Sequence, residues 1–309
     1  MKKILIILLC AIGHQVAACD VCGCKLGGLY FGILPQFESH FIGLRYSHAA
    51  FNATIKYNSE YLDDEFSDDT YQRIELLGKY AISPKWQINA VVPYMMNKMD
   101  GSHQKVEASG MGDPVILLYY NAFNNSENMA RNLKHVLLLG GGLKLPLGKY
   151  DQDDQGEIIN RNFQLGSGSV DYIVSLNYTA RLNKIGVNLE SSYKMNTANK
   201  DDYRFGNQFN MSGYLFYSLE KPLFSVLPFG GVFYEQAAMH EHGKIDEINT
   251  GGDAYFATAG VQLYRGKFNV LAQYQIPVSQ SYNVDKTATI EAGNRLTLSA
   301  IFSIRSKNN

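Results

Sequence analysis

Three thiols crowd into the stretch Cys19-Asp20-Val21-Cys22-Gly23-Cys24. Cys-x-x-Cys and Cys-x-Cys spacings bring thiolates within reach of one soft ion, so the segment points to copper or zinc. Two other readings use the same residues: lipidation of Cys19 with Cys22 and Cys24 left over, or a redox bridge in an oxidising compartment. A four-thiol cage is excluded in a processed chain, because the remaining cysteine, Cys10, lies in the leader. Further soft ligands sit in two stretches read as outer loops. Met95, Met96 and Met99 precede His103, and Met239 is followed by His240, Glu241 and His242. Thioether and imidazole suit copper, although the same side chains also serve as apolar filler and as solvated loop groups. The metal candidates are therefore Cys19, Cys22, Cys24, Met99, His103, Met239, His240 and His242. No cofactor is required by the pattern.

Other chemistry is thin. Gly140-Gly141-Gly142 is not followed by Gly-Lys-Ser/Thr, so it is no phosphate loop. The acidic runs at Asp63-Asp64-Glu65 and Asp151 to Asp154 lack the calcium-loop spacing. Ser47 and His48 are neighbours, which on a strand sends them to opposite faces. No catalytic residue is nominated, and an outer-membrane hydrolase is the weakest of the functional readings. A formal net charge of −1 gives no electrostatic footprint for nucleic acid.

The first residues form a targeting segment. Lys2 and Lys3 precede the apolar run from Ile4 to Gly13, and Val16-Ala17-Ala18 then leads to Cys19. Small residues before position 19 suit ordinary signal peptidase, and Val-Ala-Ala-Cys equally suits a lipobox that would lipidate Cys19. The expected organisation is a signal peptide over 1–18, a Cys-rich periplasmic segment over 19–35, a barrel over 36–305 and a tail over 306–309.

What positions any chemistry is a sheet. In Arg295 to Arg305, Leu296, Leu298, Ala300, Phe302 and Ile304 share one face, while Thr297, Ser299 and Ser303 share the other, with Ile301 the exception. Val170, Tyr172, Val174, Leu176, Tyr178 and Ala180 likewise oppose Asp171, Ser175, Asn177 and Thr179. Such apolar faces recur with no helix to cover them, and mean hydropathy is only −0.18. A chain in which every second residue meets lipid accounts for both observations. Twelve segments are expected, near 37–50, 70–82, 86–97, 113–123, 134–146, 168–181, 185–195, 207–219, 226–238, 254–265, 267–278 and 293–305. Those at 134–146 and 226–238 alternate poorly. Short links such as Ser83-Pro84-Lys85, Asn183-Lys184 and Arg265-Gly266-Lys267 alternate with long polar ones, as inner turns and outer loops do. The fold class is thus all-β: a transmembrane antiparallel up-and-down β-barrel of twelve strands in the outer membrane of a Gram-negative bacterium. Its partners would be outer-membrane lipid, the barrel assembly machinery, and a small solute or metal ion.

The polar faces then line a lumen. Arg45, Arg73, Glu75, Lys79, Asp171, Glu190 and Lys194 fall there, a set of mixed sign. Either they cross the barrel as ion pairs that fill it, or they line a narrow polar channel and set its selectivity.

Several short motifs carry a family resemblance. Gly110-Met111-Gly112-Asp113-Pro114, Gln164-Leu165-Gly166-Ser167-Gly168-Ser169-Val170-Asp171-Tyr172 and Val92-Pro93-Tyr94 resemble motifs of the outer-membrane proteins of phenol meta-pathway operons. The resemblance covers about 70 to 305 and implies a transporter-like barrel passing aromatic substrates. The N-terminal CDVCGCKLGG, with Tyr30 to Gln36 and Phe41 to Tyr46, is similar to uncharacterised Bacteroidetes barrels. That thiol motif departs from the phenol-associated proteins. The leading functional expectation is a transporter or channel for small solutes with a link to transition-metal handling. The alternative is a plugged structural or binding barrel that anchors the thiol segment.

Overall fold

The computed structural model describes residues 32, 39–57, 61, 63–102, 105–126, 128, 130–154, 157–283 and 288–305. Twelve strands form one antiparallel sheet: β1 Ser39–Ile55, β2 Glu65–Ala81, β3 Trp86–Gly101, β4 in two pieces (Lys105–Met111 and Val115–Asn124), β5 Leu133–Lys144, β6 Asp171–Leu182, β7 Ile185–Met195, β8 Gln208–Tyr217, β9 Ser225–Ala237, β10 Gly252–Arg265, β11 Phe268–Tyr282 and β12 Ala288–Arg305. Each strand pairs with its sequence neighbour, and β12 pairs with β1 from Ser39↔Arg305 to Ile55↔Ala288. That last ladder closes the barrel and removes every sheet edge, which a spanning sheet needs because hydrocarbon offers no partner for a free N–H or C=O.

Burial is inverted relative to a protein in water. Leu44 is 57% exposed and Val174 49%, whereas Asp171 and Asn188 are wholly buried. The apolar exterior is a lipid-facing belt, and the chain resides in the outer membrane. Rings mark the inner edge of the belt: Trp86 packs on Tyr120 at 4.9 Å and Phe268 on Phe302 at 5.1 Å. Near the outer edge Tyr234 packs on Tyr255 at 4.5 Å. Amphipathic rings favour both interfaces.

The twelve strands lie where expected, but six of them run well beyond the expected limits at their outer ends. β1 continues to Ile55, β2 starts at Glu65, β3 reaches Gly101, β4 gains Lys105–Met111, β11 reaches Tyr282 and β12 starts at Ala288. Strands of 17 residues exceed the roughly 9–11 that cross a bilayer. Above the membrane a paired strand needs no apolar outer face, so polar stretches such as Ser67-Asp68-Asp69, opposite Gly101-Asp100-Met99, stay in the ladder while looking like loop. The tight inner turns hold as expected, with Asn183 (φ 53°) and Gly266 (φ 59°) in the left-handed region that such turns require.

Gly140 has a packing role. A Cβ there would come within 2.5 Å of the Tyr119 ring, which lies against β5 inside the barrel. Ile301 is explained too: it points inward and packs with Phe41, Leu77 and Val91 near the inner end.

Candidate functional site: the lumen and its outer mouth

Strand parity puts a charged belt at mid-height. All seven charged residues expected in the lumen face inward. Glu75 on β2 accepts from Arg45 on β1 and lies 3.0 Å from Arg73 Nε, so two guanidiniums share one carboxylate. Lys79 lies 5.3 Å from the Phe41 ring. Glu190 on β7 stands opposite Asn177 on β6, and Lys194 opposite Ile173.

The centre of the belt was not read from sequence. Lys144 lies 3.0 Å from Asp113 and 2.5 Å from Asp171. Asp113 also accepts from the backbone N–H of Gly148 (2.8 Å) and of Ser167 (2.9 Å) and from the Ser167 hydroxyl (3.2 Å). Ser169 donates to Asp171 at 2.9 Å, and Asn199 Nδ2 donates to the Ser167 carbonyl at 3.1 Å. The Gly-x-Gly-Asp motif, set in the break of β4, and the Ser-rich motif before β6 therefore meet around one ammonium. Their joint effect is mechanical: they fold the β5–β6 connection, described over 145–154 and 157–170, back into the mouth.

What that loop inserts is apolar. Phe163, at the end of a short 3-10 turn (Arg161–Phe163), is wholly buried and stacks on Tyr71 at 5.3 Å. Asn97 Nδ2 holds its carbonyl at 3.0 Å. Ile159, Phe163 and Leu165 join Phe51, Phe233 and Phe256 in an apolar cluster across the outer lumen. The neighbouring loop braces it. Arg161 lies over the Tyr203 ring at 5.2 Å, and Lys200 lies over the Tyr150 ring at 5.3 Å. A hydrogen bond to Tyr150 raises the Lys200 ammonium above its ordinary pKa.

On the far wall Arg295 of β12 reaches Glu235 of β9 through two hydrogen bonds of 2.8 and 2.7 Å. Its guanidinium sits 4.0 Å from the Phe256 ring centre, a cation–π contact in a dry setting. Below it Tyr214, Phe216, Leu227, Phe229 and Leu271 fill the lumen. Beside the charged belt, by contrast, a cavity of about 170 Å³ remains, lined by Arg45, Arg73, Lys144 and Lys194 and roofed by Leu165 and Phe205.

The family model described as "Putative MetA-pathway of phenol degradation" matches residues 71–282. The chain belongs to this family. The matched stretch holds the whole Asp113–Lys144–Asp171 network. Among solved structures, this phenol-pathway family chain is similar to the COG4313 outer membrane channel from Pseudomonas putida F1 (TM-score 0.64, 14% identity, covering 90% of this chain and 99% of that one). It also matches the β domain of the Bordetella autotransporter BrkA (TM-score 0.48, 11% identity, 86% and 100%) and the P. putida toluene transporter TodX (0.40, 7%, 89% and 92%). The first likeness concerns the fold, and the other two are too slight to argue from. No curated protein matches the chain.

The soft-ligand candidates among the described residues of this family member are dispersed. Cys19, Cys22, Cys24 and His103 lie outside the described residues. Met95, Met96 and Met99 belong to β3 rather than a loop, with Met95 and Met99 in the apolar outer cluster. The Val92-Pro93-Tyr94 motif is mid-strand for the same reason. His240 is wholly buried, with Nδ1 2.7 Å from the Tyr203 hydroxyl, where it ties two outer loops together. Met239 is half-buried, and His242 is exposed 3.7 Å from Glu247. Among the described residues no three His, Cys, Asp or Glu side chains are grouped to hold a metal.

Proposed function

We propose that the barrel is a diffusion channel for small amphipathic solutes, aromatic compounds among them, with the 145–170 loop as its outer constriction. The observation that carries this reading is the cavity under the loop, which has charged groups on one side and apolar groups on the other. A ring-lined mouth built around Phe163, Tyr71 and Phe256 suits entry of flat apolar bodies, and the charged belt suits a polar head. The likeness to an outer membrane channel and the family's association with phenol degradation support the same direction. The test is conductance in planar bilayers together with uptake of one-ring solutes by proteoliposomes. Open states and uptake are expected, and both should increase when Asp113 is replaced by Ala. Silence of both proteins would overturn the reading.

The density of the apolar cluster favours one second reading, a plugged barrel that anchors the thiol segment. It expects no uptake by either protein but a changed metal content in Cys22→Ser/Cys24→Ser. Metal content unchanged by that double variant would remove the metal-handling proposal.

A further inference from the structure

The net charge of −1 conceals two ends of opposite sign. The inner-turn segments 82–85, 125–134, 181–184, 218–224 and 265–267 contain eight Lys or Arg against two Asp or Glu. The outer segments 56–69, 98–111, 147–164, 197–206, 238–253 and 279–292 contain nine Lys or Arg against 20 Asp or Glu. Every inner turn contributes at least one cation. Glu220 pairs with Arg181 at 2.8 Å, and Lys134 donates to the Ser126 carbonyl at 2.7 Å. Lys85, Arg131, Lys184, Lys221 and Arg265 are exposed and form no ion pair with a described residue.

The backbone joins four of these turns into one rim. The Asn121 N–H donates to the Lys85 carbonyl at 2.8 Å, the Asn183 N–H to the Asn132 carbonyl at 3.4 Å, and the Ser218 N–H to the Lys184 carbonyl at 2.6 Å. Lys85, Arg131, Lys184 and Lys221 therefore follow one another along the inner ends of β2 to β9. Each stands within two residues of an exposed apolar side chain: Trp86, Leu133, Ile185 and Leu223, the last 77% exposed. Apolar groups at the belt's inner edge sit among acyl chains, while a long basic side chain beside them extends to the headgroups. A soluble polyanion would account for the cations alone. A lipid surface accounts for the cations and their apolar neighbours together.

We propose that the inner rim binds anionic phospholipid headgroups of the periplasmic leaflet, with Lys85, Arg131, Lys184 and Lys221 meeting the phosphates. The proposal concerns the outside of the barrel and stands whether or not solute passes through it. A zwitterionic headgroup carries its own ammonium, which the rim repels, so the rim selects lipids of net negative charge. One Lys or Arg near such a surface strengthens attachment by about five-fold, and salt screens the effect.

Trp86, the chain's one tryptophan, provides the readout. It follows Lys85 and packs on Tyr120 of β4, the strand that leads into the turn with Arg131. The full-length protein is placed in phosphatidylcholine vesicles containing a fixed share of acyl-brominated phosphatidylglycerol or acyl-brominated phosphatidylcholine, and quenching of Trp86 is compared. Phosphatidylglycerol should be preferred beside Trp86 by about five-fold or more at low salt, and about 0.5 M salt should bring the preference close to one. Lys85→Gln/Arg131→Gln should do the same without salt. Lys98→Gln/Lys244→Gln, at the opposite end of the barrel, should leave the preference unchanged. Heat-modifiable gel migration verifies that each variant is folded, and either inner substitution alone, which should lower the preference part-way, serves if the double variant fails to fold. Equal quenching by the two lipids in the unaltered protein would leave the cations to a soluble polyanion and overturn the proposal. A preference that survives the inner substitutions, or that falls as far with the outer ones, would overturn it too.

Discussion

The lumen has two walls made by the same alternation, and they differ in how their charges are grouped. On the side of β1 to β7 ionised groups share partners in two networks, Arg45–Glu75–Arg73 and Asp113–Lys144–Asp171, with Lys79, Glu190 and Lys194 on the same wall. These shared networks gather charged and polar groups at one level of the lumen, and there the cavity persists. On the side of β9 to β12 a single bidentate pair, Arg295–Glu235, closes on itself, and rings pack above and below it. One-to-one pairing lets a wall fill with apolar groups. On the first wall the cavity lies beside the shared charges, with apolar clusters filling the lumen elsewhere on that wall. The difference locates the proposed route along the first wall.

The strongest way to break this comparison is Asp113→Ala. It removes the acceptor for two backbone N–H groups and a hydroxyl of the inserted loop and leaves Lys144 with one carboxylate. Breaking a buried pair typically costs about 3–5 kcal/mol, here concentrated on the docking of one loop. Single-channel conductance should rise several-fold, with a lesser change in the stability of the whole barrel.

Glu235→Ala sharpens the contrast. It strands Arg295 between Phe51 and Phe256 at a similar cost, again about 3–5 kcal/mol. The loss should appear in urea unfolding from lipid vesicles, with conductance nearly unchanged. If Glu235→Ala opened the channel more than Asp113→Ala, the assignment of hollow and filled walls would be reversed.

A third substitution separates the lumen from the lipid face within one strand. Val174→Arg puts a charge into hydrocarbon and should lower unfolding stability by about 2–4 kcal/mol. Ser175→Arg, one residue on, places the same side chain in the lumen and should act on ion selectivity instead.

What could be read from the sequence follows from parity. Where a strand alternates cleanly, as Asp171–Leu182 does, both its facing and its lumen residues were legible. The segment holding Lys144 was opaque because Leu137, Leu138 and Leu139 run together before three glycines, and the lumen takes Val136 and Leu138 as apolar filler. Glu235 was hidden in the same way by inward Phe229 and Phe233. Arg295 shares the parity of Thr297 and could have been placed in the lumen by that rule alone. Phe163 carried no periodic signal, because a loop inserted into a barrel obeys neither the strand period nor the helix period. Its position depends on Asp113, distant in sequence, and pairwise contacts of that kind leave no trace in local pattern.

The smallest expected effect lies above the membrane. Asp100 and Lys105 pair at 2.9 Å across the tip of the β3–β4 hairpin, and both side chains are well exposed. The partner ammonium holds the Asp100 carboxyl below its ordinary pKa, first through their hydrogen bond. A carboxyl with a lowered pKa stabilises the fold above its unfolded pKa and loses that contribution as pH falls through the folded value, so any benefit here belongs to neutral pH and fades in acid. Water solvates both partners in the open hairpin as well, so little is lost when one is removed. Asp100→Ala should therefore leave stability nearly unchanged, and 0.5 M salt should abolish any remaining difference. The bond is as short as the 3.0 Å Lys144–Asp113 pair, so distance alone would rank the two sites together. A loss at Asp100 matching that at Asp113 would mean that burial, on which the contrast between the walls depends, is not what gives the lumen charges their weight.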